Sequence, residues 1–152
     1  MIVQDVNSQL FTESVLEEIM LSMDDERDDV RLEAEVILHE LDLEMFQDSH
    51  PMSLSEGEKR RVAFTSAIAM GKEIIILDEP SGGLDYRYMM EMSKTLKKLS
   101  REGRTIFLIT HDPELLKECC DYLIFLDNGN LAWSGEWTRE NTQRVNEFFE
   151  GI

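Results

Sequence analysis

The sequence is poor in basic residues, and this shortage argues against one class of function. Its 152 residues hold 15 Lys and Arg against 32 Asp and Glu, which gives a net charge of −17. A field of that sign repels phosphate backbones and disfavours a nucleic-acid-binding surface. The only dense basic cluster is Lys59-Arg60-Arg61, which Glu56 and Glu58 flank, and we interpret it as the charged start of a helix.

Cysteines and long apolar stretches are also scarce. Cys119 and Cys120 are adjacent, and adjacent residues rarely reach disulfide geometry. We therefore expect a reduced chain in which both thiols pack as small apolar groups. No run approaches the ~18–20 apolar residues of a membrane span, and residues 1–5 lack the basic, apolar character of a leader. Any work at a membrane is expected to require docking on another subunit.

Hydrophobic spacing and capping signals predict helices that alternate with short strands. The predicted helices begin at Ser14, near Val30 and at Ser55, and cover 86–101, 113–119 and 139–149. The predicted strands cover 74–77, 105–110, 122–126 and 131–134, the last two joined by an Asn128-Gly129 turn. The apolar, β-branched run at 74–77 is typical of a strand buried on both faces. This alternation predicts an α/β fold with parallel core strands.

The strongest chemical signal is the pair Asp78-Glu79 directly after the apolar run at 74–77. The carboxyl end of a parallel strand faces the ligand crevice of an α/β sheet. Asp78 would there be placed to hold Mg²⁺, and Glu79 to polarise an attacking water as a general base. The alternative is a buried strand capped by two solvated acids.

Four segments together resemble the ATP-binding domain of ABC transporters. They are 54–63 (LSEGEKRRVA, the signature), 78–85 (DEPSGGLD, Walker B and D-loop), 109–112 (ITHD, the switch histidine) and 3–12 (VQDVNSQLFT, the Q-loop). They occur in the order and spacing of that family, and their details are similar to its energy-coupling-factor branch. The resemblance implies a P-loop NTPase-like α/β fold, a parallel sheet with a helical subdomain. The N-terminal β part and the Walker A strand of that fold are lacking here.

The resemblance also implies an organisation and a setting. Residues 1–12 would hold the Q-loop, 13–52 the helical subdomain, and 53–152 the signature helix and the remaining motifs. The chain would use ATP and Mg²⁺ and pair with a second ABC ATPase subunit or domain. It would also contact a transmembrane transporter component, from a cytoplasmic position on the inner face of the cell membrane. Uptake of a vitamin or a metal ion would be the process that it powers.

Four residues receive hydrolytic or metal roles from the resemblance. Asp78 would support Mg²⁺, and Glu79 would activate the lytic water. His111 would contact the γ-phosphate and hold Glu79 in line, whereas by itself it is an ordinary strand-end histidine. Gln4 would sense Mg²⁺ and the γ-phosphate and link them to the helical subdomain, although alone it is an unremarkable surface residue.

Three further residues receive roles at a dimer interface. Ser55 and Gly57 would bind the γ-phosphate of ATP held by the opposite subunit, since a helix start offers free N–H groups to an anion. Asp85 would lie at the dimer interface, and its other interpretation is the N-cap of the following helix. Glu56 replaces the usual Gly of the signature and Glu58 the frequent Gln, so we expect weaker engagement of ATP.

A P-loop motif, G-x-x-x-x-G-K followed by Ser or Thr, does not occur in the 152 residues, because Gly71-Lys72 precedes Glu73. We expect a partial chain that neither binds ATP tightly nor hydrolyses it by itself. An alternative is a non-catalytic module that lends its signature in trans to a complete ATPase. An in-frame P-loop upstream would favour the first, and an authentic start at Met1 the second. The short stretch between Gln4 and Ser55 argues against the coiled-coil ABC ATPases of DNA maintenance.

Overall fold

A computed structural model describes residues 10–23 and 29–150, and residues 1–9 of the expected Q-loop, Gln4 among them, lie outside these ranges. The helices are α1 (Val15–Ser22), α2 (Val30–Glu40), α3 (Glu56–Ala69), α4 (Tyr86–Arg101), α5 (Pro113–Cys119) and α6 (Thr142–Glu150). The strands are β1 (Ile74–Asp78), β2 (Thr105–Ile109), β3 (Tyr122–Asp127) and β4 (Asn130–Glu136). Short 3₁₀ turns lie at Glu44–Phe46, Pro51–Ser53 and Arg139–Asn141. The predicted alternation of helices and strands is confirmed.

Helix α3 begins where the capping signal placed it. The Ser55 hydroxyl accepts a hydrogen bond from the Glu58 N–H, and the Glu58 carboxylate accepts one from the Ser55 N–H at 2.8 Å. This reciprocal pair satisfies two of the donors that a helix start leaves free. The helix ends before Gly71, whose φ of +65° favours glycine.

Helix α3 is buried on more sides than its sequence suggested. The helical spacing of Val62 and Met70 favours one apolar face, yet Phe64 and Ala67 are buried on another side and Met70 is exposed. Lys59 is also only 7% exposed, which differs from a wholly solvated charged start. The helix lies between two cores, so both of its sides are covered.

The core is divided among three clusters, and α3 contributes to two of them. One joins α3 to α1 and α2, and a second joins it to β1, α4 and α5. A third, at the C-terminal end, packs α6 on the β3–β4 hairpin through Phe125, Trp133, Phe148 and the fully buried Val145. The rings of Phe125 and Phe148 stack with centroids 4.3 Å apart. The half-buried Cys119 and Cys120 are free thiols that pack against these clusters, as expected.

The strands form two separate two-stranded sheets within the described residues. Strands β1 and β2 are parallel, with Ile74 opposite Thr105 and Asp78 opposite Ile109. Strands β3 and β4 are antiparallel around the predicted turn, where Asn128 has φ of +46° and Gly129 has φ of +75°. The two positive φ values match the tight hairpin turn that Asn-Gly favours. The parallel pair confirms the expected core strands.

One face of the β1–β2 sheet is uncovered, and the prediction that β1 is buried on both faces is wrong for this structure. Ile75 and Leu77 are buried, but the side chains that alternate with them are not. We call the uncovered apolar surface the open face; it comprises Ile74, Ile76, Phe107 and Ile109. In the described part of the chain, helices cover the opposite face only. An apolar face normally requires a second layer, and the residues shown here do not supply it.

Candidate functional site

The candidate site lies where β1 and β2 end side by side. Asp78 is the last residue of β1 and stands opposite Ile109, the last residue of β2. The Glu79 N–H donates to the Ile109 carbonyl at 2.8 Å, which continues the strand pairing by one step. Because the strands are parallel, the residues that follow them, Glu79 and His111, emerge at the same edge.

Glu79 and His111 form a direct pair across that edge. His111 Nδ1 lies 2.8 Å from Glu79 Oε1, with the glutamate side chain 20% exposed and the histidine 84% exposed. The hydrogen bond and negative charge of Glu79 raise the pKa of His111 above its ordinary value of 6.5. The sequence placed both residues at strand ends, and the structure brings them into contact.

The backbone of Glu79 is in the left-handed region, with φ of +49°. This region is unfavourable for a residue with a Cβ atom and is found in excess at functional sites. The next turn holds it, because the Glu79 carbonyl accepts a hydrogen bond from the Gly82 N–H at 3.2 Å. The residue whose carboxylate contacts His111 thus has a strained backbone.

The D-loop connects this edge to helix α4. The Asp85 carboxylate accepts a hydrogen bond from the Tyr88 N–H at 2.8 Å, so its interpretation as the N-cap of α4 is confirmed. The D-loop also approaches the signature: a Cβ atom added at Gly57 would lie 3.7 Å from the Gly83 carbonyl oxygen. Signature and D-loop are therefore neighbours within one chain.

The signature residues have local partners at the start of α3. The Ser55 hydroxyl lies 2.6 Å from Glu58 Oε2, and this bonding lowers the pKa of Glu58. Glu56 pairs with Lys59, with Oε1 and Nζ 3.1 Å apart. Among the described residues, no hydrogen bond or ion pair joins Ser55 to the Glu79–His111 pair. The structure thus assembles Asp78, Glu79 and His111 but leaves the signature at a separate place.

Glu18 is a buried charge that the sequence did not reveal. Its Oε2 accepts hydrogen bonds from the Phe11 N–H at 2.9 Å, the Thr12 N–H at 3.1 Å and the Thr12 hydroxyl at 2.9 Å. A buried carboxylate requires such donors. Glu18 thereby fixes the last residues of the expected Q-loop segment, just before helix α1. Ordinary helical spacing places Glu18 beside Glu17 and gives no sign of this role.

The donor set at the strand edge fits Mg²⁺ to a limited degree. Within the described residues, no group of three or more His, Cys, Asp or Glu side chains converges as a metal site. Mg²⁺ in nucleotide sites keeps waters and uses one or two carboxylates together with phosphate oxygens. The single carboxylate of Asp78 is compatible with that chemistry, whereas Gln4 lies outside the described residues.

Comparison with known proteins decides the family. The family model described as ABC transporter matches residues 1–82 of this chain, which include the signature and the Asp78-Glu79 pair. The chain belongs to the ABC transporter ATP-binding family.

Several relatives support this assignment. A putative ABC transporter ATP-binding protein of Treponema denticola is 39% identical and covers 87% of this chain. A putative ABC transporter ATP-binding protein of Pyrococcus horikoshii is 34% identical over 97% of the chain. The energy-coupling factor transporter ATP-binding protein EcfA2 of Mycoplasma pneumoniae is 36% identical over 84% of it.

The fold also matches solved ABC cassettes. The dimeric structure of MJ0796, a bacterial ABC transporter cassette, superposes on 88% of this chain with a TM-score of 0.76 and 28% identity. The same cassette in a post-hydrolysis state bound to ADP and Pi gives a TM-score of 0.77 at 26% identity. The α/β fold expected from the sequence is therefore confirmed as that of ABC ATPase cassettes.

The chain is shorter than the proteins it matches. It covers 26%, 55% and 44% of the length of the Treponema, Pyrococcus and Mycoplasma relatives, and 60% of the MJ0796 chain. None of the helices in the described residues is both long and apolar enough to cross a membrane.

Proposed function

We propose that this chain is the rear part of the ATP-hydrolysing subunit of an ABC transporter of the energy-coupling-factor type. The observation that carries the proposal is the Glu79–His111 pair, joined at 2.8 Å where two parallel strands end. An acid and a histidine in contact at such an edge can orient a water and stabilise charge as it develops. ABC ATPases use that chemistry for hydrolysis of ATP.

Each residue of the strand edge has a distinct role in this proposal. Glu79 accepts a proton from the attacking water as it approaches the γ-phosphate, and the half-buried position keeps the carboxylate aimed. His111 donates toward the γ-phosphate and holds Glu79 in place. Asp78 would hold Mg²⁺, which supplies charge neutralisation of the phosphates when it is bound. Gln4 would join it from the Q-loop.

The signature acts on a second ATPase subunit or domain. The start of α3, with Ser55 exposed and Gly57 beside the D-loop, presents N–H groups to a γ-phosphate held by that partner. Asp85, which follows the D-loop glycines, would lie at the same interface. This arrangement is supported by the dimeric state of the MJ0796 cassette. It also accommodates the second candidate, a chain that provides only the signature in trans.

The proposed transport role rests on the similarity to the Mycoplasma pneumoniae relative. The Mycoplasma protein is described as an energy-coupling factor ATP-binding protein, and its 36% identity supports the same branch here. In this proposal residues 13–52 dock on a transmembrane component at the inner, cytoplasmic face of the cell membrane. Uptake of a vitamin or a metal ion is the coupled process, and the membrane component selects the solute.

A chimera tests the hydrolytic proposal. The part of the Pyrococcus horikoshii relative that this chain does not match is joined to this chain at the matched boundary, to supply the P-loop that the 152 residues lack. We expect the chimera to hydrolyse ATP and Glu79→Gln to lower kcat by about a hundredfold or more, as the loss of a general base does. Calorimetry on the 152-residue chain alone is expected to detect no micromolar affinity for ATP.

The matched control is Glu73→Gln, which neutralises an exposed acid just before β1. This variant is expected to retain the activity of the chimera. A chimera that binds ATP and turns it over equally well with Glu79→Gln would contradict the assignment of the base. Tight ATP binding by the isolated chain would contradict the need for a P-loop from elsewhere.

A further inference from the structure

Arg61 connects helices α2, α3 and α4, whose relative orientation matters for the proposed function. It lies in α3, within the signature segment 54–63 and six residues after Ser55. Its Nη2 atom donates to the carbonyl oxygens of Leu41 and Asp42, each at 3.0 Å, where α2 ends. Its guanidinium carbon lies 4.4 Å from the centroid of the Tyr88 ring, in the first turn of α4.

The end of α2 explains why an arginine is required on that side. Asp42 has φ of +54°, and the Leu43 N–H closes back on the Leu38 carbonyl at 2.8 Å. The turn itself serves carbonyls in the last turn of α2, and the carbonyls of Leu41 and Asp42, just after the helix, are left to other donors. They lie at the negative end of the helix dipole. One guanidinium nitrogen of Arg61, Nη2, serves both carbonyls while the planar cation stacks on Tyr88. A lysine ammonium has no plane for that stacking.

The Tyr88 side connects the arginine to the D-loop. Tyr88 is only 6% exposed, so its ring cannot move without disturbing the guanidinium stacked on it. Its N–H is the group that Asp85 caps. A displacement of the α2 end relative to α3 therefore reaches the Asp85 carboxylate through one side chain and one ring.

We infer that Arg61 is a positioning residue that couples the orientation of the helical part, at the end of α2, to the D-loop. The inference rests on the proposed function, because it gives the helical part and the D-loop their roles in docking and in the dimer. Arg87 adds a weaker, exposed tie between α4 and the same corner, with 3.6 Å between its Nη2 and Asp42 Oδ2. Arg61 is the half-buried member of this connection.

Amide hydrogen exchange on the full chain tests the inference. In Arg61→Lys the charge remains but the planar group that stacks on Tyr88 is lost. We expect the amides of residues 41–43 and of Tyr88 to exchange about tenfold faster, while the amides of β1 keep their rates. Arg31→Lys, on the exposed side of α2, is the matched control and should change none of these rates.

A second pair of variants, at Tyr88, distinguishes loss of the Arg61–Tyr88 contact from general unfolding of the chain. Tyr88→Leu removes the ring but leaves the carbonyl bonds of Arg61, and it should accelerate the same two segments. Tyr88→Phe keeps the stacked ring and removes only the buried hydroxyl, so it should accelerate both segments much less than Tyr88→Leu does. The Arg61→Lys, Tyr88→Leu double variant should add little to the single ones, because both break one connection.

Acceleration of the whole chain together, or of residues 41–43 without Tyr88, would overturn the inference and leave Arg61 as an ordinary packing residue. These measurements use no nucleotide. Unchanged exchange in Arg61→Lys would thus refute the coupling while the ATPase proposal stood. Failure of the chimera to hydrolyse ATP would remove the functional meaning of the coupling but not the rates themselves.

Discussion

The pKa of His111 at the candidate site depends on its contact with Glu79. Glu79 raises the pKa of His111 above 6.5 by a hydrogen bond and by charge. Because the folded-state pKa is raised, the contribution of this pair to stability is fully present below the unfolded pKa near 6.5. It is lost as the pH rises through the folded value.

We expect an NMR titration of His111 to give a midpoint above 6.5 in the native chain and a lower one in Glu79→Gln. His39 serves as the internal control, because Glu44 raises its pKa at a separate place and the substitution should leave it unchanged. Equal midpoints for His111 with and without the Glu79 carboxylate would show that the pair does not persist in solution.

The left-handed backbone at Glu79, the proposed general base, lowers the stability of the fold. Glu79→Gly and Glu79→Ala both remove the carboxylate, but only glycine adopts φ of +49° without strain. We expect the glycine variant to be the more stable of the two by about 1 kcal/mol. The two midpoints of urea unfolding measure the difference.

The same pair of substitutions at Glu73, where φ is not positive, is the matched control and should show the opposite order. If alanine were as stable as glycine at position 79, the left-handed backbone would carry no strain. The site residue would then be held without cost to the fold.

At the residue scale the sequence predicted the identities of the chemical groups and little of their contacts. Asp78, Glu79 and His111 were predicted from strand ends and motif order, and the structure brings them to one edge. The burial of Lys59 and the three bonds to Glu18 were not predictable. They depend on which side of a helix another element covers, and helical spacing alone does not record that.

Among the elements, the start of α3 carries the departure from the expected signature. Glu56 brings negative charge to a helix start that should receive a phosphate, although Lys59 neutralises part of it at 3.1 Å. We expect Glu56→Gly in a complete cassette to strengthen ATP-dependent dimerisation and to raise turnover. The physical reason is the removal of a like charge from the γ-phosphate.

Sedimentation velocity with and without ATP measures the change in dimerisation. Glu17→Gly is the matched control, since it removes an exposed acid from the first turn of α1, away from the signature. Unchanged dimerisation and turnover in Glu56→Gly would show that the Glu56–Lys59 pair already cancels the charge. The sequence alone suggested the repulsion but not this pair.

Element boundaries followed from local chemistry wherever a cap or a turn fixed them. Ser55 starts α3, Asp85 starts α4 and Asn128-Gly129 turns the hairpin, as the sequence predicted. The prediction that β1 is buried on both faces was wrong. A continuous apolar run indicates that both faces of a strand need cover, but it does not show which elements are present to cover them. The cover of a sheet is a property of tertiary structure.

For the molecule as a whole, the open face and the charge of −17 act against each other. Exposed apolar strands favour association between copies, whereas repulsion between like charges opposes it. Raising the salt from about 0.01 M to about 1 M shortens the screening length from ~30 to ~3 Å. We therefore expect self-association to increase with salt, as measured by light scattering.

Phe107→Glu places a charge in the open face, where the native ring is 53% exposed, and should abolish the salt-induced association. Leu32→Glu, on the exposed side of α2, is the matched control and should leave it in place. Association that is insensitive to Phe107→Glu would assign the contact to another surface.

The separation of the C-terminal core has a consequence for spectroscopy. Trp133 and Trp137 are the two tryptophans of the chain, and both pack in the cluster formed by the hairpin and α6. Arg144 lies 5.6 Å from the Trp133 ring centroid, and Phe125 is 5.3 Å from it. Tryptophan emission will therefore change when the cluster of the β3–β4 hairpin and α6 unfolds. It will not respond to changes at the strand edge that holds Glu79. A fluorescent nucleotide or a tryptophan introduced near His111 is needed to observe the site itself.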